Sequence, residues 1–332
     1  MPSTRAPRGS PAQRQLPSFD PTRALRRLRM RHLELIVLLG SEGTVRGAAQ
    51  RMALTQPALS KMLRELEESF GTLLFERART GVTPTAAGRH LVTYATASLN
   101  GLSAIGADVQ RIARGEAVHV RLGTFSVIPC VPRAIARLVR SHPNMSVQVQ
   151  EGHGVVLLSA IAAGEIDCIV AALPPEQLQT ADVDALRVET LYEDELSVVA
   201  SPSHPLARAR SLRWPQLEGM RWALPPAQSL LRRAVIDMHL RAGIAPPVPV
   251  VEMMSPVLLS QLLDRDPTLL SVMRTEQVEV ERRSGRVRRL KLAPRAPLPP
   301  MSFITLRQAG PRQDMIEAVR AALLAEVPKP MP

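Results

Sequence analysis

Between Leu59 and Phe70 the apolar residues Leu59, Met62, Leu63, Leu66 and Phe70 recur at three- and four-residue intervals, so the pattern predicts one buried stripe on a helix. Thr55 stands where an N-cap belongs. Pro57 follows in the first turn, where a missing N–H costs nothing because those amides have no intrahelical partner. A shorter helix is expected just before it: Thr44 is its cap, and Val45, Ala48, Ala49 and Met52 are its buried positions. Ala53 and Leu54 form the turn. The small pair Ala48 and Ala49 permits the close crossing that a helix-turn-helix requires. An earlier helix from Met30 to Leu39 is expected to close the core with Met30, Leu33, Ile36 and Val37.

The polar face of the second helix carries Gln56, Ser60, Lys61 and Arg64, side chains able to hydrogen-bond base edges or phosphate oxygens. Taken alone, this could be the solvated face of an ordinary amphipathic helix. The next residues, LLFERARTGVTP, change that reading, because they spell an apolar strand, a turn at Gly81 and a second short strand. Arg77 and Arg79 lie on this hairpin, which suits a wing lying along a DNA backbone or reaching into a minor groove. Residues 44 to 84 therefore read as a DNA-reading head.

The motifs AAQRM, TQPALSKMLRELEESFG, LFER and TPTAAG make residues 28 to 90 resemble the winged helix-turn-helix of LysR-type transcriptional regulators. The rest of the chain fits that family in length and element order. The resemblance implies that Thr55, Gln56, Pro57, Ser60, Lys61 and Arg64 approach bases and phosphates, with Arg77 and Arg79 on the wing. At position 61 the family more often has Arg; Lys acts as a point charge and lacks the bidentate fork that fits guanine.

A helix is expected from about Thr85 to Arg114, where Leu91, Ala95, Ser98, Leu102, Ile105, Val109 and Ile112 alternate by four and three residues. That spacing is a coiled-coil seam, so it predicts a partner helix and a dimer. Gly101 and Gly106 each weaken the isolated helix by about 1 kcal/mol relative to Ala. At roughly 1.5 Å per residue the helix reaches about 40 Å, enough to hold two heads apart on DNA. The competing reading is a single helix packed on its own domain.

After Gly115 short β-rich runs alternate with helical stretches. VHVRLG, SVQVQ and IDCIVA are separated by helices from Val131 to Arg140 and Val155 to Ala163. LSVVA, RWAL, VPVVE and LLSVM follow, with helices at about Ser229 to Ala242 and Pro256 to Leu263. MSFITLR and a helix from Arg312 to Glu326 would return to the first series. The alternation predicts parallel α/β layers. ELSVVASPSHPLA resembles the family's crossing between lobes. The expected fold is thus α/β: a winged helix-turn-helix, a long linker helix, and a two-lobed α/β effector domain like a periplasmic solute-binding protein. The expected boundaries are a disordered basic arm over 1–27, the head over 28–85, the linker over 86–115 and the effector domain over 116–332. Its lobes would comprise about 116–193 plus 300–332, and 194–299.

In open α/β sheets ligands sit beyond the carboxyl ends of strands, where helix N-termini aim unpaired amides. Thr124 and Ser126 follow the first strand, Gln228 and Ser229 start a helix in the other lobe, and His153 ends another strand; these five are the candidate effector contacts. A helix cap or a loop contact is the plain alternative for each. A carboxylate would suit two helix N-termini, and a sugar fits nearly as well.

Composition sharpens this picture. The chain has 332 residues, 45% of them apolar, and a formal net charge of +12, which suits a polyanionic partner. Residues 1 to 31 carry eight arginines against Asp20 alone, in a Pro- and Ser-rich context that predicts a disordered arm up to about Leu25. No apolar run is long enough to span a bilayer and no secretory stretch opens the sequence, so a cytoplasmic protein is expected. Cys130 and Cys168 make neither a disulfide framework nor a metal-like spacing with histidines, and read as buried thiols. No cofactor, metal site or catalytic residue is called: glycine-rich phosphate loops, HExxH and GxSxG are missing. The expected partners are double-stranded DNA, a small-molecule effector, a second or further copies of the chain as homodimer or homotetramer, and RNA polymerase, with no membrane. The rival readings are an architectural DNA-binding protein without a ligand and, behind it, an enzyme using the cleft.

Overall fold

The computed structural model describes residues 28–78, 81–125, 128–179, 185–307 and 312–328. The basic arm, Arg79 and Ser126 thus lie outside the described residues. The chain divides into two compact units, one running to Ile105 and the other starting at Gly106.

The first unit contains α1 (Met30–Glu42), α2 (Val45–Arg51), α3 (Gln56–Phe70), the hairpin β1 (Phe75–Ala78) and β2 (Gly81–Pro84), and most of α4 (Ala86–Ala113). Its helix starts follow the capping chemistry. Thr44 Oγ1 accepts from Gly47 N at 3.1 Å, Thr55 Oγ1 from Ala58 N at 3.4 Å, and Thr85 Oγ1 from Gly88 N at 3.0 Å. Both α1 and α3 end on left-handed glycines, Gly43 and Gly71. The core comprises Leu35, Ile36 and Leu39 of α1, Ala48 and Ala49 of α2, Leu59, Leu63 and Leu66 of α3, Val82 of the hairpin and Ala95 of α4. Met30, expected in this core, is 44% exposed, and Leu33 and Val37 are only partly buried. Ile36 is buried as expected, and Leu35 and Leu39 rather than Met30 complete the inward face of α1.

The second unit continues with β3 (Val118–Thr124), α5 (Cys130–Ser141), β4 (Met145–Glu151), α6 (Gly154–Ala162), β5 (Cys168–Ala171), α7 (Pro175–Gln179) and β6 (Leu186–Ala200). Then come β7 (Leu212–Arg213), β8 (Arg221–Leu224), α8 (Leu230–Arg241), β9 (Val251–Glu252), α9 (Pro256–Arg265), β10 (Leu269–Arg274) and α10 (Thr275–Arg282). It ends with β11 (Arg288–Arg289), β12 (Leu292–Ala293), β13 (Ala296–Leu306) and α11 (Gln313–Leu324). One sheet runs in the order β4-β3-β5-β13-β6-β10-β8-β9, with β11 also paired to β6.

The sheet is mixed, whereas parallel layers were expected. β3 runs parallel to β4 and β5, and β8 parallel to β9 and β10, but β13 and β6 are antiparallel to each other and to their outer neighbours. The reason is topological: a chain that enters the second lobe and later returns must cross the boundary twice, in opposite directions. β6 makes the outward crossing and β13 the return, with a register irregularity between Leu298 and Ser302. The run VPVVE contributes only Val251–Glu252 as strand, since Pro247 and Pro249 have no N–H to give a ladder.

Helices cover both faces of each half-sheet. In the first lobe Val120, Leu122 and Cys168 pack with α5 and α11, while Ile169 and Ala171 pack with α6. In the second, Val198, Trp214 and Trp222 pack with Val235 and Met238 of α8, and Val199 and Met273 with Leu259 and Leu263 of α9. Burial on both faces explains why β5 is apolar without alternation, and why β5 and β10 are buried at every position, Ser271 and Arg274 of β10 included.

Candidate DNA face and effector cleft

The buried side of α3, Leu59, Leu63 and Leu66, fixes which residues face out. Thr55, Gln56, Pro57, Lys61 and Arg64 are exposed, and Ser60 is half-buried. Arg64 Nε donates to Ser60 O at 3.2 Å, and Lys61 Nζ lies 3.9 Å from Glu65 Oε1. Both cations remain open to solvent, so a phosphate or base edge could replace these weak contacts at little cost.

Two ties orient the wing. Glu67, one of the few buried acids, accepts from Leu74 N at 2.9 Å and Phe75 N at 3.2 Å, joining the end of α3 to β1. Val82 N donates to Gly43 O at 2.7 Å, and a Cβ at Gly81 would come within 2.3 Å of that same oxygen, so only glycine fits there. Arg77 sits in β1 opposite Val82. Sequence reading missed Glu67; its signal was an acid on the edge of the apolar stripe.

Along α4 the expected seam divides. Ala95 is 1% exposed and Leu91 half-buried, both against the head's own core, so these two positions are already occupied within the chain. Leu102, Ile105, Val109 and Ile112 are all exposed. Those four retain the four-and-three spacing of a helix-pairing face.

In the second unit Thr124 closes β3, opposite Glu151 on β4 and Val170 on β5. It is 4% exposed, and among the described residues its Oγ1 has no hydrogen-bond partner. Gly152 N donates to Thr124 O at 3.0 Å, which brings the neighbouring His153 to the same strand end. His153 takes the N-cap position of α6 with an exposed side chain that makes no cap bond. In the other lobe Ser229 caps α8, its Oγ accepting from Arg232 N at 3.1 Å, and Gln228 is exposed. Phe125 and Leu230, the residues next to Thr124 and Ser229, both pack against the apolar cluster of the first lobe.

The lobe boundary also holds a polar set that sequence reading did not find. The Arg274 guanidinium lies 4.8 Å from the centre of the Phe125 ring and is ion-paired to buried Asp194. Tyr192 Oη donates to Glu276 Oε2 at 2.5 Å, and Arg133 Nη2 donates to Glu276 Oε1 at 3.0 Å. Ser197 and Thr275 hydroxyls are 2.9 Å apart. The partners are distant in sequence, so no local spacing announces them. Burial pushes the Cys130 thiol up to about 12, with Glu276 adding to the shift, and burial also raises Cys168. Both therefore remain thiols at neutral pH and are poor nucleophiles. Among the described residues no cluster of His, Cys, Asp and Glu is placed to hold a metal ion, and no helix is long and apolar enough to cross a membrane.

Two family models match the chain in sequence. The bacterial regulatory helix-turn-helix protein of the lysR family matches residues 30–89, and the LysR substrate binding domain matches residues 113–328. The HTH-type transcriptional regulator GbpR of Azospirillum brasilense is 33% identical over 244 residues, 72% of this chain and 70% of its own length. The HTH-type transcriptional regulator GalR of Pseudomonas putida is 31% identical over 266 residues, 79% of this chain and 65% of its own. A full-length OxyR variant from Pseudomonas aeruginosa shares the fold, with a TM-score of 0.59 and 22% identity over 92% of this chain and 99% of that one. With a DNA-reading head and a substrate-binding domain both matched, the chain belongs to the LysR family of transcriptional regulators.

Proposed function

We propose that Gln56, Ser60, Lys61 and Arg64 read an operator in duplex DNA, with Thr55 and Pro57 setting the start of the reading helix and Arg77 and Arg79 adding backbone contacts from the wing. The carrying observation is the polar outer face of α3 opposite an apolar face on which Leu59, Leu63 and Leu66 are buried. Leu102, Ile105, Val109 and Ile112 pair two copies, and the chain acts as a homodimer or homotetramer. A small carboxylate or sugar is bound between the lobes by Thr124, His153, Gln228 and Ser229, with Ser126, which lies outside the described residues, as a further contact, and it shifts the DNA-bound state through its differential affinity for two conformations. The protein acts in the cytoplasm as a regulator and not as a catalyst.

The test combines footprinting on the region upstream of the protein's own gene with a thermal-shift screen of metabolites. Gln56→Ala and Ser60→Ala should each reduce discrimination between operator and random DNA by about 1–3 kcal/mol. Unchanged preference in both folded variants would place base reading elsewhere. A ligand that stabilises the protein and alters the footprint supports the sensing part; a ligand that is turned over, or a footprint indifferent to every hit, contradicts it.

A further inference from the structure

The reading head leaves most of the chain's positive charge unexplained. From Glu281 to Pro297 the sequence carries seven cations against the single acid Glu281, and from Ser201 to Leu217 it carries three arginines and no acid. The fold joins these two runs. β12 pairs with β7, Leu292 beside Leu212 and Ala293 beside Arg213. Leu212 N donates to Lys291 O at 2.8 Å, and Trp214 Nε1 donates to Pro294 O at 2.9 Å. β11 places Arg288 beside Ala200 at the end of β6.

The result is a basic patch on the second lobe. Arg282, Arg289 and Arg295 are engaged by Glu279 and Glu195. Arg208, Arg210, Arg213, Arg286, Arg288 and Lys291 are exposed and, among the described residues, have no carboxylate within ion-pairing distance. Like charges gathered this way repel one another, and a face built only for solubility is served by mixed signs. A protein-docking surface would centre on large apolar or aromatic anchors. The large exposed apolar side chains all lie outside these two runs. A phosphate backbone needs no such anchor, and arginine forks suit it.

We propose that this patch is a second DNA contact, which takes the phosphate backbone of duplex flanking the site read by the head. The inference rests on DNA reading by the head. Once the head is bound, flanking duplex is present at high effective concentration, so individually weak contacts on the second lobe add to affinity. They carry no sequence information. Their signature is a longer footprint and a steeper salt dependence.

The experiment uses the full-length chain with Arg208→Gln, Arg210→Gln, Arg288→Gln and Lys291→Gln combined, and a second variant with the three arginines changed to Lys. Binding is titrated against KCl on two DNAs from the region upstream of the protein's own gene: one with long flanks, one trimmed to the head's footprint. On the long DNA the Gln variant should lose about three to four units of slope in log affinity against log salt, near 0.9 per phosphate contact. Hydroxyl-radical protection should recede from the flanks, the short DNA should be bound almost as before, and the Lys variant should behave as the parent. An unchanged slope and footprint on the long DNA overturn the proposal. So does an equal loss on both DNAs, or intact DNA contacts with lost binding to RNA polymerase, which would identify an acidic protein as the occupant. Failure of base reading shows separately, on the short DNA, through Gln56→Ala and Ser60→Ala.

Discussion

Arg312 grips Asp108 near the end of the long helix, with Nε at 3.1 Å and Nη2 at 2.6 Å from Oδ2. The same guanidinium reaches Asp167 through Nη1 at 2.9 Å, and Asp167 is held in turn by Arg121 of β3, Nη2 to Oδ1 at 2.6 Å. The end of α4 is thereby fastened to the strand layer of the effector lobe by a two-arginine, two-aspartate network, and Arg312, Asp108 and Asp167 are all largely buried. Breaking such a network strands charge away from water. Arg312→Gln should cost the second unit roughly 3 kcal/mol, the lower end for a broken buried pair because Arg121 still neutralises Asp167. Both tryptophans, Trp214 and Trp222, lie in this unit, so their fluorescence during urea unfolding reports on it alone. A midpoint equal to the parent's would mean that the network contributes nothing to holding the helix end.

The exposed half of the seam makes the assembly testable. Ile105 is 41% exposed on the single chain, between Leu102 and Val109. Ile105→Lys costs the single chain little, but in a helix pair it buries an unpaired ammonium. Sedimentation at low concentration should show monomers where the parent shows dimers. If both proteins sediment alike, α4 pairs through another face or not at all.

His239 is packed between Trp214 and Trp222, with ring centroids at 5.5 and 5.7 Å. Its Nδ1 donates to Val235 O at 2.8 Å, and its Nε2 is buried without a partner among the described residues. Burial lowers its pKa below the ordinary 6.5. The unfolded chain therefore binds the proton more readily than the native protein does. The contribution of neutral His239 is complete above the unfolded value and is lost as pH falls through it. Thermal midpoints should drop from about pH 7 to about pH 5, and His239→Phe should flatten part of that drop, the rest belonging to groups such as His204, which burial also lowers. Parallel pH profiles for the two proteins would show that His239 does not titrate on unfolding.

Local chemistry was legible in the sequence wherever a few neighbouring residues decide the outcome. Thr44 and Thr55 cap the helices their positions announced, because a cap needs only the residue and the next three amides, and Ser229 takes the cap that stood as the plain alternative to an effector contact. The stripe on α3 fell inward as its spacing required. Strand order was not legible, since pairing β6 with β13 joins segments about a hundred residues apart and the same apolar runs suit either direction. Ala95 shows a subtler limit: a position on a heptad seam and a position on the head's core look identical until the neighbouring fold is known. The Asp194–Arg274 pair and the Tyr192–Glu276 bond at the lobe boundary were hidden for the same reason, each spanning some eighty residues.

Thr124 offers the cleanest separation of a ligand contact from a structural one. Its hydroxyl is buried at the strand end with no hydrogen-bond partner among the described residues, so the folded chain already bears the cost of desolvating it. Thr124→Val keeps the shape and removes the hydroxyl. Without ligand the variant should be as stable as the parent or more stable by about 1 kcal/mol. If Thr124 is an effector contact as proposed, the variant's response to any metabolite that alters the parent's footprint should fall at least tenfold in apparent affinity, while operator binding without ligand stays the same. Two results would count against this. Destabilisation of the ligand-free variant would reveal a structural partner for the hydroxyl, and an undiminished response would remove Thr124 from the effector site.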